Sequence, residues 1–487
     1  MDGRLLSRID GDIKRLEEKC MSKNLENMME DYSLEAVPAE MRRPWRELAA
    51  VGAGIGSSLA VLLTGGMITY MAGFWMGMLA AFIAFLVSTF FTISLGIISF
   101  RDGYSSNIIS RAYAFGTRGS AFGSLIWAFM IIGFLGMESV LIGNSLLFYF
   151  DIEPTFFVKF IFYLIITGIW IVLSLFGNKL VSRVAQIMIP LLFLMLLFMV
   201  YLLMNKGSLL EAVTHGILIP NMTAGQGFAI ALNATIVLAG LLAIVVADFT
   251  RFSKSSKDVV KVSVVSNFSL YGVTMVFGAI ITYFGYQITM DYFLDQGMKP
   301  GAAGMAAITN PGIMLVLGGG VWGLLTIIFS QSKVQVGNSY EGALALVNLF
   351  DTGFNWRPGR AVMVVLANIT SLLFIFGNIL HYIETFLTFG SVLLCVWVTI
   401  VLTDYYVIRG KMKIGKQGIE DLANIPAVNW KGLLTLVVST IIGMFFYQLN
   451  WFGVPFMIAT PIAFVLYTGL SLLKVQSAVP EESQVDI

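Results

Sequence analysis

Residues 330–341 read SQSKVQVGNSYE and set two Gln, one Asn, one Lys and one Glu inside a stretch otherwise apolar enough to cross a membrane. In hydrocarbon such groups are costly unless they face the protein interior, a water-filled cavity or a ligand. Gln331, Gln335 and Asn338 are spaced i, i+4, i+7 and share one helical face. Their amides donate and accept, which suits a planar ligand with alternating N–H and C=O groups; amide pairs gluing helices together would use the same residues. Lys333 projects about 140° away from Asn338 at the helical repeat. It is either a cation held inside the protein or a long stem reaching the interface. Glu138, in IIGFLGMESVLIG (131–143), is a second polar intrusion. A carboxylate there must meet a ligand, a lysine or a proton, or be held by a neighbouring helix. Phe134, one turn earlier on nearly the same face, could stack on a flat ring or serve packing alone.

The elements that must position these groups are membrane helices. The 487 residues are 57% hydrophobic and only 12% charged, with mean hydropathy +0.83, and long uncharged runs recur along the chain. That composition specifies an all-α, polytopic membrane protein. A net charge of +1 with basic residues scattered over short loops gives no sign of nucleic-acid binding. Cys20 and Cys395 lack metal or disulfide spacing, so neither a cofactor nor a metal is expected. His215 and His381 lie near span ends without nucleophile or metal spacing, which argues against an enzyme. Rings of pore-lining residues, which a channel would usually show, are not visible.

Uncharged length places twelve spans near 47–72, 75–100, 120–149, 157–177, 184–204, 227–247, 262–286, 316–346, 361–378, 383–403, 431–448 and 454–473. They divide the chain into a polar N-terminal tail (1–46), a ten-helix core (47–410), a loop (411–430), two additional helices (431–473) and a C-terminal tail (474–487). The tail lacks the apolar region of a signal peptide. Loops after the even-numbered spans 2–10 carry sixteen Lys and Arg against three, Lys159, Lys206 and Lys299, on the other side. This asymmetry predicts a multi-pass protein of the cell (inner) membrane with both termini cytoplasmic.

Span 1 contains GAGIGSS (52–58) and TGG (64–66), and span 6 opens with GQG, carries Asn233 and has Gly240 midway. Both read as broken helices, with Gly54, Gly56, Ser57 and Ser58 supplying open backbone in span 1. Five spans separate them, the pattern of an inverted-repeat secondary transporter whose substrate sits where the broken helices cross. Close helix packing would use the same glycines. Gly312–Phe329 is expected to run on into the polar stretch as one helix, and the long connection 287–311 is a candidate lid or a plain connector. Asp248 and Arg251, closing span 6, and Asp404, closing span 10, read as structural or gating charges at helix ends.

Four stretches, ADFTRF (247–252), TDYYVIRG (403–410), SRAYAFGTRGS (110–120) and the polar run ending in Asn338, together with DYSLEAVPAEMRRPW (31–45), resemble the nucleobase:cation symport family 1 of purine-cytosine permeases over nearly the whole membrane part. The resemblance implies a five-plus-five inverted repeat with two additional C-terminal helices. It also implies a flat heterocycle stacked between aromatics on spans 3 and 6, bonded by polar groups on spans 3 and 8, beside a sodium ion held by span-1 carbonyls and span-8 hydroxyls. Carried over, Phe134 takes the place of the stacking Trp, Glu138 a position often Gln, Ala239 (beside Gly240) the span-6 aromatic and Asn338 the substrate Asn. Ser332 and Lys333 fall on the two sodium-binding hydroxyl residues.

These departures predict a weakened aromatic sandwich, a ligand rich in N–H donors, and transport independent of sodium, because an ammonium stands where the metal cation would. Should the buried lysine lose its proton, protons become the coupling ion; otherwise the chain is a facilitator or exchanger. The expected activity is alternating-access import of a purine, cytosine or related heterocycle around Phe134, Glu138, Gln335 and Asn338. An amine or organic-cation carrier using Glu138 as counter-ion is the alternative. Partners are then a small-molecule substrate and the lipid bilayer, with no obligate protein partner.

Overall fold

Backbone amides and carbonyls in hydrocarbon must be paired within the segment, so apolar runs of this length fold as helices. A computed structural model of the chain describes residues 32–175, 177–204, 207–451 and 453–473, with backbone alone for 177–185. The first 31 residues with Cys20, the C-terminal tail and Lys206 lie outside the described residues, as do the side chains of Lys179 and Arg183. Among the described residues there is no β-strand; one isolated bridge joins Arg43 to Ser253.

Span 1 is two helices, Trp45–Ile55 and Leu59–Ala72, bent by 56° at the break. The others are span 2 (Phe74–Asp102), span 3 (Ser120–Tyr149), span 4 (Phe156–Leu175), span 5 (Gly177–Leu203) and span 6 (Ala224–Thr250). Span 7 runs Ser256–Asn267, through a π-helical turn Phe268–Thr274, to Met275–Asp295. Span 8 (Val321–Phe354), span 9 (Arg360–Phe376), span 10 (Ile383–Leu402), span 11 (Trp430–Gln448) and span 12 (Phe456–Leu472) complete the bundle. Eight helices pass a length-and-hydropathy criterion for crossing a membrane, and the bent span 1 passes as a pair. Spans 9 and 12 are shorter apolar helices, and span 8 is a continuous helix of 34 residues with a polar middle, counted here by its position in the bundle. These elements accommodate the twelve expected spans.

The packing repeats with an offset of five. Span 7 lies on the second half of span 1 as span 2 lies on span 6, span 5 lies on the first half of span 1 as span 10 lies on span 6, and spans 3 and 8 lie on each other. Glycine sets the closeness of the span 1–span 7 seam. A Cβ on Gly65 would lie 2.2 Å from the Met275 carbonyl oxygen, and one on Gly278 2.2 Å from that of Leu62. Backbone therefore meets backbone from both sides. Gly65→Val is expected to lower stability by about 1–3 kcal/mol or more through overpacking, read as a fall in the melting temperature of the detergent-solubilised protein.

Two expectations are corrected. Span 6 is one continuous helix: a Cβ on Gly240 would press on Leu394 Cβ of span 10 at 2.5 Å, one on Gly227 on the Met71 carbonyl at 2.3 Å, and Asn233 donates to the Gly453 carbonyl. Its glycines serve close packing instead of a break. Gly312–Gly319 does not belong to span 8, because Gly320 (φ 54, ψ −123) leaves the helical region. The connection after span 7 is instead a helical hairpin, Pro300–Thr309 and Pro311–Gly319, bent by 85°, with Pro at the start of each helix where its missing N–H costs nothing. The described part of the N-terminal tail packs on the bundle. Val37 is buried and donates to Gly103 O, and Arg43 donates to Phe252 O.

Candidate functional site

The break in span 1 exposes two helix ends to spans 3 and 8. Gly56 lies in the gap because a Cβ there would press on Leu270 of span 7 at 3.0 Å. Ser57 turns its hydroxyl back onto the Ala53 and Gly54 carbonyls, closing the first half-helix. Ser58 caps the second by accepting from Val61 N–H. Two complementary poles result: the N-terminus of Leu59–Ala72, with its partial positive charge, and a free carbonyl at the C-terminal end of Trp45–Ile55.

Each pole is met by a charge of opposite sign. Glu138, fully buried on span 3, accepts from Ala60 N–H at 3.2 and 3.3 Å through its two oxygens. It also accepts from Gln331 Nε2 of span 8 at 2.7 Å. Lys333 of span 8, likewise buried, donates from Nζ to the Ser57 carbonyl at 3.0 Å and to Ser330 O at 3.1 Å, and Ser330 Oγ donates to the same Ser57 carbonyl. Glu138 and Lys333 lie close enough to interact electrostatically without a direct ion pair. The cluster ties spans 1, 3 and 8 at the bend.

Further along span 8, Gln335 donates from Nε2 to Ser139 Oγ at 2.7 Å. The carbonyl oxygens of Gln331 and Gln335 are buried without a donor among the described residues. The side chain of Asn338, a residue 4% exposed, has no hydrogen bond to the described residues. Phe134 meets Phe386 of span 10 edge-on with ring centroids 5.4 Å apart. The structure thus brings Glu138, Lys333, Gln331, Ser57 and Ser58 into one cluster, with Gln335 one turn away on the same helix as Asn338. Ser332 is not part of it: its hydroxyl turns back to Ile328 O, and Ser330 holds the place beside the Ser57 carbonyl. Gly54 acts only through its carbonyl. Ala239 is fully buried in span 6, and Gly240 faces Leu394.

Sequence reasoning passed over Ser330 and the Ala60 N–H. Ser330 was legible as the residue one turn before Lys333; the amide became a partner only once Ser58 was seen to cap a helix. At the end of the bundle bearing most of the basic residues, Asp248 accepts from the backbone N–H and hydroxyl of Ser106, and Asp404 pairs with Arg409 at 2.7 Å and accepts from Tyr467. His215 stacks on Tyr283 away from the cluster, and no group of three His, Cys, Asp or Glu among the described residues could hold a metal ion.

Chemically the site offers buried amide acceptors at Gln331 and Gln335, the amide of Asn338, and a buried carboxyl and amine on opposite sides of the break, groups suited to hydrogen-bonding a polar ligand. Residues 37–467 match the model of a family described as permeases for cytosine/purines, uracil, thiamine and allantoin. The fold is similar to that of Mhp1 in its inward-facing conformation, with TM-score 0.67, 18% identity, and 90% of this chain and 92% of that one covered. Mhp1, a nucleobase-cation-symport-1 family transporter, in a closed conformation with bromovinylhydantoin bound, matches with the same score and identity over 90% and 94%. A sodium-coupled sialic acid symporter, substrate-bound and outward-open, follows with TM-score 0.60 and 13% identity, covering 92% and 95%. No curated protein matches the sequence.

Proposed function

Because the chain belongs to the family of permeases for cytosine/purines, uracil, thiamine and allantoin, we propose that it imports a small, uncharged, nitrogen-rich heterocycle by alternating access without sodium. The family and the structural neighbours are transporters, so the enzyme class falls away. The observation that supports sodium-independent transport is the Lys333 ammonium on the Ser57 carbonyl. The site does not fit sodium: its carbonyl is already engaged by the Lys333 ammonium, and a second cation beside it would be repelled. A proton remains the candidate coupling ion.

The ligand class follows from the leftover valences. Glu138 is already bonded by Ala60 and Gln331 and lies in the field of Lys333, which disfavours the counter-ion role an amine carrier would need. The acceptors at Gln331 and Gln335 favour a neutral ring bearing N–H groups, such as a purine or cytosine. Basic-loop asymmetry supports a cell-membrane protein with both termini cytoplasmic, and the division into ten-helix core plus two helices follows the five-fold offset in packing.

The test is uptake of labelled cytosine and hypoxanthine by proteoliposomes. Saturable accumulation, competed by unlabelled base and unchanged when choline replaces sodium, is expected. Asn338→Ala should weaken binding by about 10–100-fold, equivalent to one or two hydrogen bonds, with melting temperature unchanged. Uptake that stops in choline, or an Asn338→Ala affinity equal to wild type, would overturn the assignment.

A further inference from the structure

Beyond the cluster at the bend, two acidic side chains are buried side by side in the bundle. Asp248, near the end of span 6, and Glu341, three residues after Asn338 on span 8, are both 0% exposed. The spans meet there through their neighbours, Phe249 stacking on Tyr340 with ring centroids 5.9 Å apart and Arg251 donating to the Tyr340 hydroxyl, and the two carboxyls lie within hydrogen-bond reach of each other. The two sides of the pair are supplied unequally. Asp248 accepts from Ser106 N–H with one oxygen and from Ser106 Oγ with the other. Glu341 receives no N–H or O–H donor on either oxygen among the described residues.

Arg251 lies close enough to act on both carboxyls, but its hydrogen bonds from Nε to the Asp248 backbone carbonyl, from Nη1 to Tyr32 O and from Nη2 to the Tyr340 hydroxyl reach neither of them. It also stacks on Phe252. Arg360 of span 9 lies over the Tyr340 ring. Arg111 is bonded to Asn348 and Asp351 further along span 8, where Arg357 takes the other Asp351 oxygen. Two adjacent buried carboxylates cannot both be charged without severe repulsion, and a shared proton removes it. Each Asp248 oxygen accepts one donor from Ser106, which favours the ionised form there and leaves a lone pair free, so the shared proton belongs on Glu341 and is donated to Asp248.

We propose that Asp248 and Glu341 form a proton-binding site: a carboxylic acid–carboxylate pair that latches span 6 to span 8 at the basic end of the bundle. When those spans part and water enters, the Glu341 O–H bond breaks, the proton passes to water and Glu341 remains as a carboxylate. The spans close again only after one proton returns. The site is distinct from Lys333 and is tied to the transport reading only through its effect on the cycle.

The direct test needs no substrate. Infrared difference spectra of the purified full-length protein, stepped from acid to alkaline pH, should show a protonated buried-carboxyl C=O band at neutral pH that is absent in Glu341→Gln. Asp248→Asn should also lose it, since its amide can donate to an ionised Glu341. A band unchanged in both variants, or absent from wild type at neutral pH, overturns the proposal. In proteoliposomes, exchange of labelled cytosine should depend on pH in wild type and be flat in Glu341→Gln, whose neutral amide mimics the protonated acid; equal pH dependence in the two also overturns it. Wild type that exchanges no heterocycle defeats the functional reading instead, while the infrared result still decides the pair.

Discussion

Glu138→Ala is expected to abolish uptake and to destabilise the protein more than any other single change at the bend. The carboxylate is the partner of the Ala60 N–H and of Gln331 Nε2, and the counter-charge to Lys333 across the break. Truncation orphans two buried donors and leaves an uncompensated buried ammonium, at a cost of about 3–5 kcal/mol by analogy with broken buried pairs. Glu138→Gln keeps an acceptor for Ala60 but removes the charge, so it should fold better than the alanine variant and still transport poorly. Melting temperature and cytosine uptake, taken together, check this. An alanine variant as stable as wild type would mean that the pole of the second half-helix needs no anion.

A change of energy source is the expected outcome for Lys333→Thr. The ammonium makes two charge-assisted hydrogen bonds, to Ser57 O and Ser330 O, worth about 1.5–3 kcal/mol each in such settings. Without it the first half-helix loses its cation, and uptake in choline should fall by about 10–100-fold, the equivalent of one of those bonds. The threonine hydroxyl and the Ser57 carbonyl are oxygen donors of the kind a hard monovalent cation accepts, so adding sodium should recover part of the loss in the variant and do nothing for wild type. Wild-type uptake that sodium stimulates, or a variant indifferent to both salts, contradicts the role given to Lys333.

How much of this could be read from the chain depended on whether a residue's partner was local. Hydrophobic length located the helices closely; span 3 falls at 120–149 in both readings, because burial in hydrocarbon leaves a chain no other choice. The broken span 1 was legible because Gly56, Ser57 and Ser58 interrupt an otherwise apolar run. Span 6 misled by the same signal: Gly227 and Gly240 look like breakers alone, and only the positions of Met71 and Leu394 reveal them as contact points. The polar face of span 8 was visible from spacing. That Ser330 and not Ser332 meets the Ser57 carbonyl depends on helix rotation, to which an apolar pattern interrupted on several faces gives no phase. The Asp248–Glu341 meeting joins residues about ninety positions apart, and nothing in either local pattern announces it.

The π-helical turn at Phe268–Thr274 carries a mechanical consequence. Its wider coil includes Leu270, the residue packed against Gly56 in the gap of span 1, and Ser269, whose hydroxyl donates to the Ala53 carbonyl of the first half-helix. Two neighbouring rods therefore have their soft joints at one height, coupled by touch and by a hydrogen bond. A tilt of the inner rod is transmitted to its neighbour at the joint, so both swing as a single lever, and stiffening either joint would arrest the two together.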